Sequence, residues 1–284
     1  MISATRYTAA AEIRRQSDLA KDIAKLQASV SSNKRLTVGS DDPTASGRVS
    51  DIRRDQANQL VWTRNSDTGA SISQAADAKL ESIGTLLDRA KDLVLAGRND
   101  TASDSDRAAI ATELRGLATD IFNYSQENDP TGRPLFPTDT VLQIPVSDTL
   151  SLPATALRDT VFNTVTAAGT QSISDILNGA ADALGQSDPA LRAGQIDAAI
   201  TAIDTGANHI AVARADQGIR GQRFDAAKEA LTTGGDALTE ERQNLEQTDL
   251  TYALSEFQAK QLSLQAAQAL FAQTSKSSLF DLLG

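Results

Sequence analysis

The chain has 284 residues, 40% of them apolar and 4% aromatic, with a formal net charge of -10 and a pI near 4.7. An acidic surface suits neither nucleic acid nor an anionic membrane, both of which select basic proteins. Without cysteine there is no disulfide framework or thiolate metal site, and so few aromatics suit a narrow helical bundle filled by Ala, Leu and Ile better than a wide globular core.

The chain opens on Met1-Ile2-Ser3-Ala4-Thr5-Arg6, which lacks the apolar core of a cleaved secretory signal. No later apolar run approaches the ~20 residues needed to span a bilayer. From Tyr7 to Ser32 the pattern is helical. Leu19, Ile23, Leu26 and Val30 recur at heptad spacing and form one seam. Asn33 is suited to end this helix, because Asn tolerates the left-handed conformation. Asp42-Pro43 then reads as a helix start, with Asp42 as cap and Pro43 in the first turn. The helix it opens runs to about Leu95, with Ile72, Ala76, Leu80, Ile83, Leu87, Ala90 and Val94 on one side.

Gly97 to Asp104 is polar and reads as a turn. A third helix follows, with Ile110, Leu114, Leu117 and Ile121 as its seam. From Asn128 to about Thr170 the period changes. Five of the seven prolines fall there, including Pro130 after Asp129, and Val141–Ile144 and Thr164–Thr166 read as short strands. A short helix over Ile173 to Leu184 leads back. Ser187-Asp188-Pro189 repeats the start chemistry of Asp42-Pro43 and opens a long helix. Its seam is Ile196, Ile200, Ile203, Ala207 and Ile210, continued by Phe224, Leu231, Leu238 and Leu245. The last helix begins near Thr248-Asp249, with Leu250, Leu254, Phe257, Gln261, Leu264, Gln268 and Phe271 as its predicted seam.

The expected fold is mainly α: a long antiparallel coiled-coil bundle formed by both chain ends, with a small β-containing insertion in the middle. The expected divisions are an N-terminal helical segment over 1–42, core helices over 43–127 and 187–247, the insertion over 128–186, and a C-terminal helical segment over 248–284. Each terminal segment is a single amphipathic strip. Isolated helices are marginal in water, so these two are expected to gain order from neighbours.

Chemistry-bearing residues are sparse. His209 is the sole histidine, sits in a helical run and has no Cys or second His to work with, so a structural role is expected. Asp41-Asp42 could pair on a metal, but the following Pro43 favours the cap. Gly218-Ile219-Arg220-Gly221 resembles a nucleic-acid-binding loop, yet it lies inside an uninterrupted heptad of an acidic chain. Small residues there let helices approach closely. Gln261, Gln265 and Gln268 are either tolerated polar positions or register-setting amides between subunits. No catalytic residue, metal or cofactor is expected.

The stretch Leu26 to Arg35 with Ser40-Asp41-Asp42-Pro43 resembles the start of bacterial flagellins and of the related hook–filament junction proteins. Asp88-Arg89-Ala90-Lys91-Asp92-Leu93, with Ser105-Asp106-Arg107 and Glu113-Leu114, resembles the core helices of that family. Gln261 to Ala269 and Ser278 to Leu283 resemble its C-terminus. Asp42-Pro43, and Gly132-Arg133 with Leu135-Phe136, look more like the junction proteins than like filament flagellins. Pro134, Pro137 and Asn33 depart from the family pattern, and filament flagellin stays the alternative. A coiled-coil adaptor outside the flagellum is a remoter one.

The resemblance implies a structural subunit of the flagellum at the hook–filament junction. It would be exported unfolded through the flagellar type III apparatus and held extracellularly. Its implied partners are copies of itself, a neighbouring hook-associated protein and flagellin, and a cytoplasmic export chaperone on the C-terminal helix. Assembly would use the two terminal seams named above. Arg89, Leu93 and Glu113 occupy places that resemble the immune-receptor face of enteric flagellins. The competing reading is that they are ordinary positions on paired helices.

Overall fold

The computed structural model describes residues 2–283 apart from 100, with side chains described over 7–273 except 8, 9 and 100. The described residues form seven helices and four short strands. In chain order these are α1 (Ile2–Ser32), α2 (Pro43–Arg98), α3 (Asp104–Ser125), β1 (Gln143–Pro145), β2 (Ser151–Pro153), α4 (Arg158–Phe162), β3 (Asn163–Thr166), β4 (Gly169–Ser172), α5 (Ile173–Leu184), α6 (Pro189–Glu246) and α7 (Leu250–Leu283). The fold is mainly α, with small antiparallel strand pairs.

Short polar side chains start these helices. The carboxylate of Asp42 accepts from the Ala45 N–H at 3.0 Å. That of Asp188 accepts from Ala190 at 2.8 Å and Leu191 at 3.3 Å. Asp249 does the same for Thr251 and Tyr252. Each satisfies N–H groups that a first helical turn leaves unpaired. α3 opens on a reciprocal capping box between Ser103 and Asp106, which accounts for the acidic residue after Ser105. α1 ends where Asn33 takes a φ of 52°.

By packing, the chain divides into two units, Asn58–Gly234 and Met1–Ala57 with Gly235–Gly284. The divisions fall inside α2 and α6. In the unit of residues 58–234, Ile83, Leu87, Leu114, Ile121, Leu177 and Ile203 are fully enclosed, drawn from α2, α3, α5 and α6. Gly69 lets α6 come close, since a Cβ there would collide with the Phe224 ring.

The proline-rich middle joins this same core. Leu135, Phe136, Ile144, Leu152, Val161 and Phe162 are buried in it, and the Phe136 and Phe162 rings meet edge to face at 5.1 Å. β1 pairs antiparallel with β2, and β3 with β4. The strand expected over 141–144 begins only at Gln143, while 164–166 lies within β3. Gln217, 2% exposed, ties the segment to the helices: its Nε2 donates to Ser73 Oγ at 2.7 Å and to the Ala154 carbonyl at 2.8 Å.

Candidate assembly interface

The terminal helices α1 and α7 lie together in the unit of residues 1–57 and 235–284 and pack against each other. They run antiparallel. Gln16 Nε2 donates to the Ala267 carbonyl at 3.4 Å, and Lys260 Nζ meets Asp22 at 2.6 Å. Asp22 and then Glu256 hold the Lys260 ammonium above its ordinary range. On α1, Leu19, Ile23, Leu26 and Val30 are partly buried, at the heptad spacing of their seam.

The α7 side differs from the predicted seam. Among the described side chains, Ala253 and Ala267 are buried, and Glu256, Phe257, Lys260, Leu264 and Phe271 are half-buried. Leu250 and Leu254 remain 47% and 48% exposed, and Gln261 and Gln268 are exposed as well. At 100° per residue the enclosed strip is rotated by about 60° from the predicted one. The reason lies in the partner. The most enclosed α7 side chains are the alanines Ala253 and Ala267, which let α1 come close while the larger Phe257, Leu264 and Phe271 flank the contact. Leu250, Leu254, Gln261 and Gln268 form a second strip beside the first, joined by Gln258 and Gln265. The Ser278 to Leu283 side chains lie outside those described.

The joint between α1 and α2 is polar. Asp41 accepts from Lys25 Nζ at 2.7 Å, from the Val38 and Thr37 N–H groups and from the Thr37 hydroxyl. Lys25 first, then those donors, holds its carboxyl well below the usual range. Asp42 is held low by the Ala45 N–H, against the opposing pull of burial, with Arg35 adding to the effect. Both carboxylates are thus occupied as cap and turn anchor. Among the described residues no group of three or more His, Asp and Glu could hold a metal ion.

Other singled-out residues have structural partners. His209 Nε2 lies 3.0 Å from the Thr160 carbonyl and donates to it, joining α6 to α4. Gly218 to Gly221 is helical, within α6. Arg89 on α2 and Glu113 on α3 form an ion pair at 2.8 Å. Leu93 is 7% exposed and belongs to the core, so of the three residues only Arg89 and Glu113 lie on the surface. No helix among the described residues is long and apolar enough to cross a membrane.

The two chain ends match known proteins in order. Residues 4–137 match the bacterial flagellin N-terminal helical region, and residues 200–283 match the bacterial flagellin C-terminal helical region. Flagellar hook-associated protein 3 of Salmonella typhimurium is 29% identical over 39% of this chain and 35% of its own length. The chain spans about a third of the length of the hook-associated relatives it matches. Flagellin of Bacillus subtilis is 26% identical over 87% of both chains. The crystal structure of flagellar hook-associated protein 3 from Legionella pneumophila has a similar fold, with a TM-score of 0.62 and 12% identity over 68% of this chain and 98% of that one. With its first and last helices paired and both flagellin helical regions matched in their proper order, this chain belongs to the bacterial flagellin family.

Proposed function

We propose that this chain is a structural subunit of the flagellum acting at the hook–filament junction. The observation that carries the reading is that both matched regions include the paired terminal helices, and that hook-associated protein 3 is among the proteins they resemble. Filament flagellin is the second reading, favoured by the near full-length similarity to the Bacillus subtilis protein. In either case the chain is exported unfolded and works outside the cell. A cytoplasmic chaperone covers α7 until export, and copies of the chain, a neighbouring hook-associated protein and flagellin surround it after assembly.

Within the assembled object, the strip of Leu250, Leu254, Gln261 and Gln268 faces neighbouring subunits, while Leu19, Ile23, Leu26 and Val30 hold α1 to α7. The apolar members supply burial, and the amides fix register. Arg89 and Glu113 act as an ordinary tie between α2 and α3. Immune-receptor activation by the purified chain that vanishes in Arg89→Ala would argue against that last assignment.

A deletion strain separates the two readings. A junction subunit predicts cells without filaments that shed full-length flagellin into the medium. Normal filaments in that strain would overturn the junction assignment, and loss of the filament with no shed flagellin would favour the chain being the filament subunit itself.

A further inference from the structure

α6 and α7 are separated by Gln247-Thr248-Asp249, a stretch with neither Gly nor Pro. Glu246 through Leu250 holds no strong helix breaker, so the Asp249 cap starts α7 but does not by itself explain why α6 stops at Glu246. In an unbroken α-helix the Leu245 carbonyl accepts from the Asp249 N–H, and the Glu246 carbonyl accepts from the Leu250 N–H. Here a residue of another segment occupies both. Arg35 donates its backbone N–H to Glu246 O at 2.7 Å and its guanidinium Nη2 to Leu245 O at 3.2 Å.

Asn33 turns the chain out of α1, and Lys34 pairs antiparallel with Gln247. The second guanidinium nitrogen of Arg35 donates to Asp42, the α2 cap, at 3.3 Å. α6 carries no basic residue in its own last turn. The cation that favours a helix C-terminus is therefore supplied by Arg35. The break has a cost: Thr248 Oγ1 is buried without a hydrogen-bond partner.

We infer that Arg35 is a latch that keeps α6 and α7 apart by competing for the Leu245 and Glu246 carbonyls, and that releasing it lets residues 189–283 run as one helix. The hold is weak by construction, because the Arg35 side chain is 49% exposed and ties at such exposure contribute little. The broken form keeps the Asp249 cap on α7. The continuous form gains helical hydrogen bonds across 248–250. Two arrangements so balanced make a bistable element, and the α1–α2 loop then governs the direction in which α7 leaves α6.

Amide hydrogen exchange on the purified full chain tests the latch. In the unaltered protein the Asp249 and Leu250 amides exchange rapidly. Arg35→Ala slows the Asp249 amide by about tenfold or more. Leu250 stays fast in that variant, since the residue 35 N–H still meets its acceptor, and slows only in Arg35→Pro, which removes both donors. Adding Thr248→Pro to Arg35→Ala restores rapid exchange at Asp249, because Pro cannot continue the helix. Unchanged exchange at Asp249 in Arg35→Ala would overturn the latch. So would loss of protection throughout α7 in that variant, including Leu264, because Arg35 would then merely support the helix.

Discussion

At the scale of single residues, two glycines make a controlled pair. A Cβ on Gly69 would strike the enclosed Phe224 ring, whereas a Cβ on Gly116, in α3, meets nothing. Gly69→Ala should therefore cost about 1–3 kcal/mol through overpacking. Gly116→Ala should stabilise by up to about 1 kcal/mol through helix propensity. Denaturant melts of both variants check the opposite signs. Asp129 offers a pH test. It is 7% exposed, and its carboxylate accepts from Thr131 Oγ1 at 2.6 Å and from the Thr131 and Arg133 N–H groups. Burial pushes its carboxyl up, but those donors together hold it below the usual range. Its contribution is thus present above about pH 4, the ordinary carboxylate value, and is lost as pH falls through the lower folded value. Asp129→Ala should cost about 1–3 kcal/mol at neutral pH and flatten the acid side of a plot of Tm against pH. The roles of Asp42, Asp188 and Asp249 are legible in the sequence because a capping side chain acts within its own turn. That of Arg35 is not, because its partners at 245 and 246 lie more than two hundred positions away.

At the scale of elements, helices were easier to read than their faces. The starts at Pro43, Pro189 and Leu250 and the whole of α5 follow from caps and spacing. The phase of α7 does not, because two adjacent strips carry apolar residues and the partner decides which is enclosed. β2, β4 and α4 are too short and too polar to show a period, and turns hold them, such as the one at Gly169 with a φ of 108°. The two α7 strips give a direct comparison. Leu264→Asp puts a charge against α1 and should weaken the α1–α7 pair by about 2 kcal/mol or more, seen as faster exchange of both helices. Leu254→Asp should leave that pair intact and prevent incorporation into the flagellum. Equal effects of the two changes on the free chain would contradict the assignment of the strips.

At the scale of the whole molecule, the two units are held by different forces. In residues 58–234 the helices and the proline-rich segment share one apolar core. In the other unit the buried branched side chains among the described residues are few, Val49 and Ile52 among them. Ion pairs there include Arg48 with Glu241 at 2.7 Å, Arg53 with Glu246 at 2.6 Å and Lys25 with Asp41 at 2.7 Å. Ion pairs with a solvent-exposed partner contribute little each and are screened by salt. Raising salt from about 0.1 M to about 1 M should thus speed exchange in residues 1–57 and 235–284 more than in 58–234. The mirrored plan of paired ends around a mixed middle was legible because both ends are single amphipathic strips. The packing division inside α2 and α6 was not, since both helices run through it, although Gly234-Gly235 marks it on α6.

The three carboxylates that precede proline also bear on the covalent durability of the chain. Asp42-Pro43, Asp129-Pro130 and Asp188-Pro189 are Asp–Pro bonds, the peptide linkage most readily hydrolysed in acid, where the side-chain carboxyl attacks its own carbonyl and the basic proline nitrogen departs. In the folded chain each of these carboxyls is engaged by neighbouring N–H groups and is kept from that attack. Warm dilute acid should spare the bonds while the local turns persist and cut them as the turns open. The order in which fragments appear would then record which of the three regions opens first.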